Sequence, residues 1–149
     1  MWISESGERY SDEGVIDFLL PLEAQCILIQ GPTGCGKTTL IKRVIDASSR
    51  ETAYYTVDQL VSAYSLDDFV WNGYQSREEF WARFCAPILI IDDADLLSNH
   101  VFCKTGVAFR LRQAIKKSLV ILIGIDISRR VPDLWDRLHP ITTLEFLDD

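Results

Sequence analysis

A chain of 149 residues with 48% hydrophobic side chains has material for one core of ordinary size and no room for two full domains. Its formal charge of −7 argues against holding nucleic acid by bulk electrostatics, because counterion release needs clustered Lys and Arg. The apolar runs are too short to cross a bilayer, and Met1-Trp2-Ile3-Ser4-Glu5-Ser6 lacks a basic stretch followed by an apolar one, so a soluble cytoplasmic protein is expected.

Residues 11–20 read as a helix, which makes 1–21 an N-terminal helical extension of a single domain over 1–149. The apolar run Cys26-Ile27-Leu28-Ile29 marks a first strand over 25–30. It leads directly into Gly31-Pro32-Thr33-Gly34-Cys35-Gly36-Lys37-Thr38, which spells G-x-x-x-x-G-K-T, and a helix follows over 36–48. Glycines in such a loop let backbone N–H groups point inward at an anion, and the helix adds the positive end of its dipole. In this pattern Lys37 stands against the β- and γ-phosphates and the Thr38 hydroxyl takes a site on Mg²⁺, with Gly31 to Thr39 as the nucleotide-binding stretch. A full match arises by chance on the order of once in a few hundred chains of this length. Nucleotide binding is therefore the leading expectation.

Further along, a strand is read over 53–57, a helix over 58–64 and a loop from Ser65 to Tyr74. Trp71 and Tyr74 in that loop serve either an interface or packing. Ser76 and Glu79 form a capping box ahead of Phe80, Trp81 and Phe84, opening a helix over 76–85. The strand over 87–91 is apolar without alternation, as a strand buried on both faces should be, and it ends in Asp92-Asp93. A magnesium nucleotide needs such a pair: Asp92 is assigned to the metal and Asp93 to the base that orients or deprotonates the attacking water. A helix over 105–117 carries Arg110, Arg112, Lys116 and Lys117 on a solvated face, and a second buried strand follows over 119–124. The last strand is read over 142–146. Cysteines 26, 35, 85 and 103 show neither metal-ligand spacing nor a disulfide pattern and read as free thiols. Alternating short strands and helices predict an α/β domain of three layers, a parallel sheet with helices on both faces.

From residue 22 to 149 the chain resembles the AAA+ P-loop ATPases, in particular the branch of DnaA- and Hda-type initiators and DnaC- or IstB-type helicase loaders. Gly31 to Leu40 is similar to that family's Walker A segment, and Ile90-Ile91-Asp92-Asp93-Ala94-Asp95 to its Walker B. The resemblance implies a five-stranded parallel sheet in the order 5-1-4-3-2, ATP and Mg²⁺ as ligands, and an N-terminal segment, Tyr10 to Leu20, packed near the adenine. It places Asp126 at the sensor 1 position, which monitors the γ-phosphate or attacking water; a polar residue capping a strand exit is the other reading. Pro132-Asp133-Leu134-Trp135-Asp136-Arg137-Leu138 is similar to the stretch that supplies an arginine finger to a neighbouring subunit, with Arg137 at the finger position. An ion pair with Asp136 is the alternative for Arg137. The helical lid that carries sensor 2 in the family has no counterpart before Asp149.

Two functions follow from the resemblance. One is an Mg-dependent ATPase related to replication initiators or helicase loaders, with Asp93, Asp126 and Arg137 acting in hydrolysis and with a replication protein or further copies of itself as partner. The other is an adaptor that binds ATP or ADP with little turnover. A small-molecule kinase is less compatible, since no acceptor site is evident, and any DNA contact is local or delivered by a partner.

Overall fold

The computed structural model describes residues 1–60, 82–97, 107–138 and 140–148. The strands are β1 (Trp2–Ser4), β2 (Arg9–Tyr10), β3 (Gln25–Gln30), β4 (Thr52–Thr56), β5 (Ile88–Asp92), β6 (Leu119–Gly124) and β7 (Thr142–Phe146). The helices are α1 (Asp12–Leu19), α2 (Lys37–Ala47), α3 (Val107–Ile115), α4 (Ile127–Arg130) and α5 (Pro132–Leu138). Residues 57–60 are also helical, and Arg83–Cys85 form a short 3₁₀ turn. The loop read from Ser65 to Tyr74, the Ser76–Glu79 capping box and the aromatic residues Trp71, Phe80 and Trp81 lie outside the described residues.

The centre of the sheet follows from burial on both faces. Every residue of β5 and β6 is buried. Successive side chains of a strand point to opposite faces, and here both faces are apolar. Cys26, Leu28, Leu89, Ile91, Val120 and Leu122 join one core cluster with α3, α4 and α5. Ile27, Ile29, Ile88, Ile90, Ile121 and Ile123 join another with α1 and α2. The result is the expected α/β arrangement of three layers. Burial also pushes the Cys26 thiol up to about 12, leaving it an inert core residue.

The sheet itself departs from the five-stranded parallel one expected. It has seven strands in the order β2-β1-β7-β3-β6-β5-β4, and it is mixed. The parallel pairs run β7-β3-β6-β5-β4, with β3 in register between β6 and β7. Counted among themselves, those five stand 5-1-4-3-2. Beyond β7, however, β1 pairs antiparallel with it through Trp2↔Phe146 and Ser4↔Leu144, and β2 pairs antiparallel with β1. Residues 1–21 thus form a hairpin and one helix where a helical extension was expected. The physical reason is the edge: without β1, β7 would present unpaired backbone groups to water.

One side chain locks that addition in place. Trp2 is 1% exposed, stacks edge-on against Phe146 at 5.5 Å and donates its indole N–H to Asp12 Oδ1 at 2.8 Å. Asp12 opens α1, whose N-cap Ser11 accepts from Gly14 N–H. The indole therefore ties the added strand to both the last parallel strand and the first helix. Trp2→Ala is expected to cost about 3–5 kcal/mol in urea unfolding, as large-to-small changes at buried aromatics do; a loss below about 1 kcal/mol would contradict this bracing role.

Candidate functional site

The loop leaving β3 is shaped by positions that only glycine fills without strain. Gly31 N–H donates to the Gly124 carbonyl at 3.1 Å, which holds the loop's first residue against the exit of β6. A Cβ at Gly31 would stand 2.6 Å from Phe146 Cβ and 2.9 Å from Cys35 Sγ. Gly34 and Gly36 have φ of +85° and +97°, in the left-handed region that other residues rarely enter. Gly36 is the N-cap of α2, and no side chain caps that helix. Ser11 does this service for α1, so the two helices differ in kind. The first-turn N–H groups of α2 are available to an anion at the positive end of the dipole. Lys37 Nζ folds back over the loop and donates to the carbonyls of Gly31 and Pro32 at 2.5 and 2.9 Å.

β5 brings the acidic pair to the same end of the sheet. Asp92 is buried at 7% exposure, and both its oxygens are engaged. Oδ1 accepts the Asp93 N–H at 2.8 Å, and Oδ2 accepts the Tyr54 phenol from β4. Asp93 is the one non-glycine residue with positive φ among those described, at 58°. Aspartate tolerates this conformation better than most residues, and it turns the chain sharply into the 3₁₀ turn Ala94–Leu96. The Asp93 carboxyl is raised above its ordinary value, first by desolvation, then by Asp92, Asp58 and Asp95, with Lys37 opposing. The Tyr54 phenol is raised too, by burial and then by its bond to Asp92.

Asp95 joins this turn to β6. Its carboxylate accepts the backbone N–H of Ile125 and, at 3.0 Å, that of Asp126. The close approach also explains Gly124, where a Cβ would meet Asp95 Oδ2 at 2.7 Å.

These pieces enclose a cavity of about 450 Å³. Thr33, Gly34, Gly36, Lys37, Thr38 and Thr39 line it together with Asp92, Asp93 and Asp95 and with Gly124, Ile125 and Arg130. Gly31 and Pro32 line an adjoining cavity of about 370 Å³ together with Asp126 and Phe146, and Cys35 lines neither.

Two residues assigned from sequence stand elsewhere. Asp126 does not line the larger cavity; its carboxylate lies 3.7 Å from Arg129 Nε and within 3.4 Å of Ser128 Oγ. Arg137 is exposed beside Gln25, Cys26, Arg112 and Lys116, at the opposite end of the strands. No ion pair joins Arg137 to Asp136 among the described residues. Three residues that sequence reading passed over do stand at the site: Tyr54, Asp95 and Arg130. Asp95 carried a readable signal, a third acidic residue within four of Asp92. Tyr54 carried none, since its role depends on strand register.

The family model "ATPase family associated with various cellular activities (AAA)" matches residues 27–133. No curated protein matches the chain. Among solved structures, AMPPCP-bound DnaA from Aquifex aeolicus is similar at a TM-score of 0.69 and 18% identity, over 93% of this chain and 44% of that one. Domain III of the Thermotoga maritima replication initiation protein DnaA gives 0.57 and 21%, over 92% and 60%. A Pif1 helicase from Bacteroides gives 0.58 and 13%, over 97% and 43%. At these identities the likeness is one of fold. The chain spans less than half the length of the DnaA structure bound to AMPPCP.

Burial of Asp93 and the carboxylates around it set a pH dependence for the protein without nucleotide. An acid whose folded pKa is raised stabilises the fold below its unfolded pKa and loses that contribution as pH rises through the folded value. Asp93→Asn, which keeps a residue tolerant of positive φ, is expected to raise the melting temperature at pH 7, with the gain vanishing in acid below the ordinary carboxylate range. A gain equal at both pH values would refute the electrostatic origin.

Proposed function

Because the chain belongs to the ATPase family associated with various cellular activities, we propose that it binds ATP with Mg²⁺ in the 450 Å³ cavity and hydrolyses it to ADP and phosphate. The observation that carries this reading is the convergence of uncapped α2 and the left-handed glycines with Asp92 and Asp93 across one cavity. The loop amides and α2 dipole would take the phosphates, and Lys37 would exchange its carbonyl partners for phosphate oxygens. Thr38 and Asp92 supply oxygen donors to the same cavity, a donor set that suits a hard divalent cation. Bound there, Mg²⁺ would neutralise charge developing on the phosphates. Asp93 faces the same space, and its raised pKa suits a group that orients the attacking water and accepts its proton. Arg130 lines the cavity as a second cation toward the phosphates.

The wider setting belongs to the same proposal. One DnaA of similar fold is described as bound to AMPPCP and single-stranded DNA, and this favours a cytoplasmic role alongside replication initiators or helicase loaders, with a protein partner. Arg137 is too far along the sheet to serve its own cavity, so a finger role requires a second copy. A specific observation also favours the adaptor reading: Asp126 lies beside Arg129 and does not line this cavity.

Lys37→Ala is expected to weaken MgATP binding by at least about 100-fold in a fluorescent-nucleotide titration, a loss of roughly 2.7 kcal/mol. Asp93→Asn should retain binding and stop phosphate release; unchanged turnover would overturn its role as base. Wild-type protein that binds MgATP without hydrolysis, with or without single-stranded DNA, would decide for the adaptor. Arg137→Ala should lose hydrolysis and regain it when mixed with Asp93→Asn protein, whereas failure of this rescue would count against a shared site.

A further inference from the structure

Tyr54 makes a contact that the family assignment does not account for. Strand register explains its reach: Tyr54 pairs with Ile90 and Thr56 with Asp92, so the phenol lies on the same face as Asp92 and reaches it diagonally across adjacent strands. β4 stands at the end of the sheet, and Tyr54 is 38% exposed. Asp92 Oδ2 accepts that hydroxyl, and Oδ1 accepts the Asp93 amide. The two donors come from different elements, one a side chain of β4 and one the backbone just past β5. Together they fix both the rotation and the plane of the carboxylate. Each carboxylate oxygen has a further lone pair, and Asp92 lines the same cavity as Thr38.

We propose that Tyr54 is a positioning residue for the divalent cation: its phenol holds the Asp92 carboxylate at the angle from which it meets the metal or the metal's waters. The proposal rests on the reading of this cavity as the MgATP site. Partners that orient a metal-binding carboxylate typically matter 10- to 100-fold in metal affinity or activity when removed. Without the phenol, Asp92 keeps only a donor from its own neighbour, and a buried carboxylate oxygen loses its partner. The phosphate loop is untouched by the change, since Tyr54 does not line that wall. Metal-dependent affinity should fall while metal-free affinity holds.

The experiment compares wild type with Tyr54→Phe by titrating a fluorescent ATP analogue in EDTA and then at increasing Mg²⁺. For Tyr54→Phe the Mg²⁺ concentration giving half the metal-dependent gain in affinity should rise about 10- to 100-fold, with EDTA affinity retained. The same substitution in an Asp92→Asn background should shift the Mg²⁺ response no further, because its target is gone. Tyr54→His, which keeps a ring donor, should recover part of the response and guards against a Tyr54→Phe protein that fails to fold. An unchanged Mg²⁺ midpoint overturns the inference, as does an equal shift in the Asp92→Asn background. A lowered midpoint would also overturn it, showing that the phenol competes with the cation. Wild type that binds no nucleotide, or binds it equally with and without Mg²⁺, sinks the underlying site reading, a result distinct from the other three.

Discussion

Everything functional in this molecule depends on burying β3, β5 and β6 on both faces of one sheet. Parallel strands so buried must run side by side in register, with their exits at one end. Gly31 leaves β3, Asp93 leaves β5 and Ile125 leaves β6 at that end, so three loops distant in sequence share one cavity. Two hydrogen-bonded ties then fix the loops to one another: Gly31 N–H to the Gly124 carbonyl, and Asp95 to the amides of Ile125 and Asp126. The first joins the phosphate loop to β6, the second joins the acidic turn to β6. β6 is thus the shared abutment of both walls of the site.

The electrostatics of that site are unbalanced in a useful direction. Three carboxylates and two cations line the cavity, and the Asp93 carboxyl is raised first by burial and then by its acidic neighbours. A divalent cation would relieve the repulsion among the carboxylates, and a polyphosphate would meet Lys37, Arg130 and the amides of α2. Each ligand improves the surroundings of its partner, which is why the site reads as one for the pair rather than for either alone. Tyr54 and the Asp93 amide each donate to one oxygen of Asp92.

Much of this was legible in the residues, and the rest was hidden for physical reasons. The phosphate loop could be read because its geometry admits few residue types: Gly34 and Gly36 need left-handed backbone, and Gly31 has no space for a Cβ. The place of Asp92 and Asp93 at the exit of a central strand could be read because a strand apolar without alternation is buried on both faces. β1 and β2, at three and two residues, are shorter than any window in which periodicity can be measured, so the antiparallel edge was missed. α4 and α5 were missed for the same reason, at four and seven residues. Tyr54 was invisible because its partner is fixed by strand register. Asp126 and Arg137 rested on resemblance, and their placement follows from Arg129 beside the one and the far end of the sheet beneath the other.

The central claim is that one ligand pair engages all three strand exits together. Amide hydrogen exchange with and without MgATP measures this directly, because it reports the phosphate loop, the acidic turn and the β6 exit separately. Slowed exchange in 31–38, 92–95 and 124–126 at the same nucleotide concentration, with no change around Arg112 and Lys116, is the result the account predicts. Protection confined to the phosphate loop, or centred on the opposite end of the strands, would contradict it.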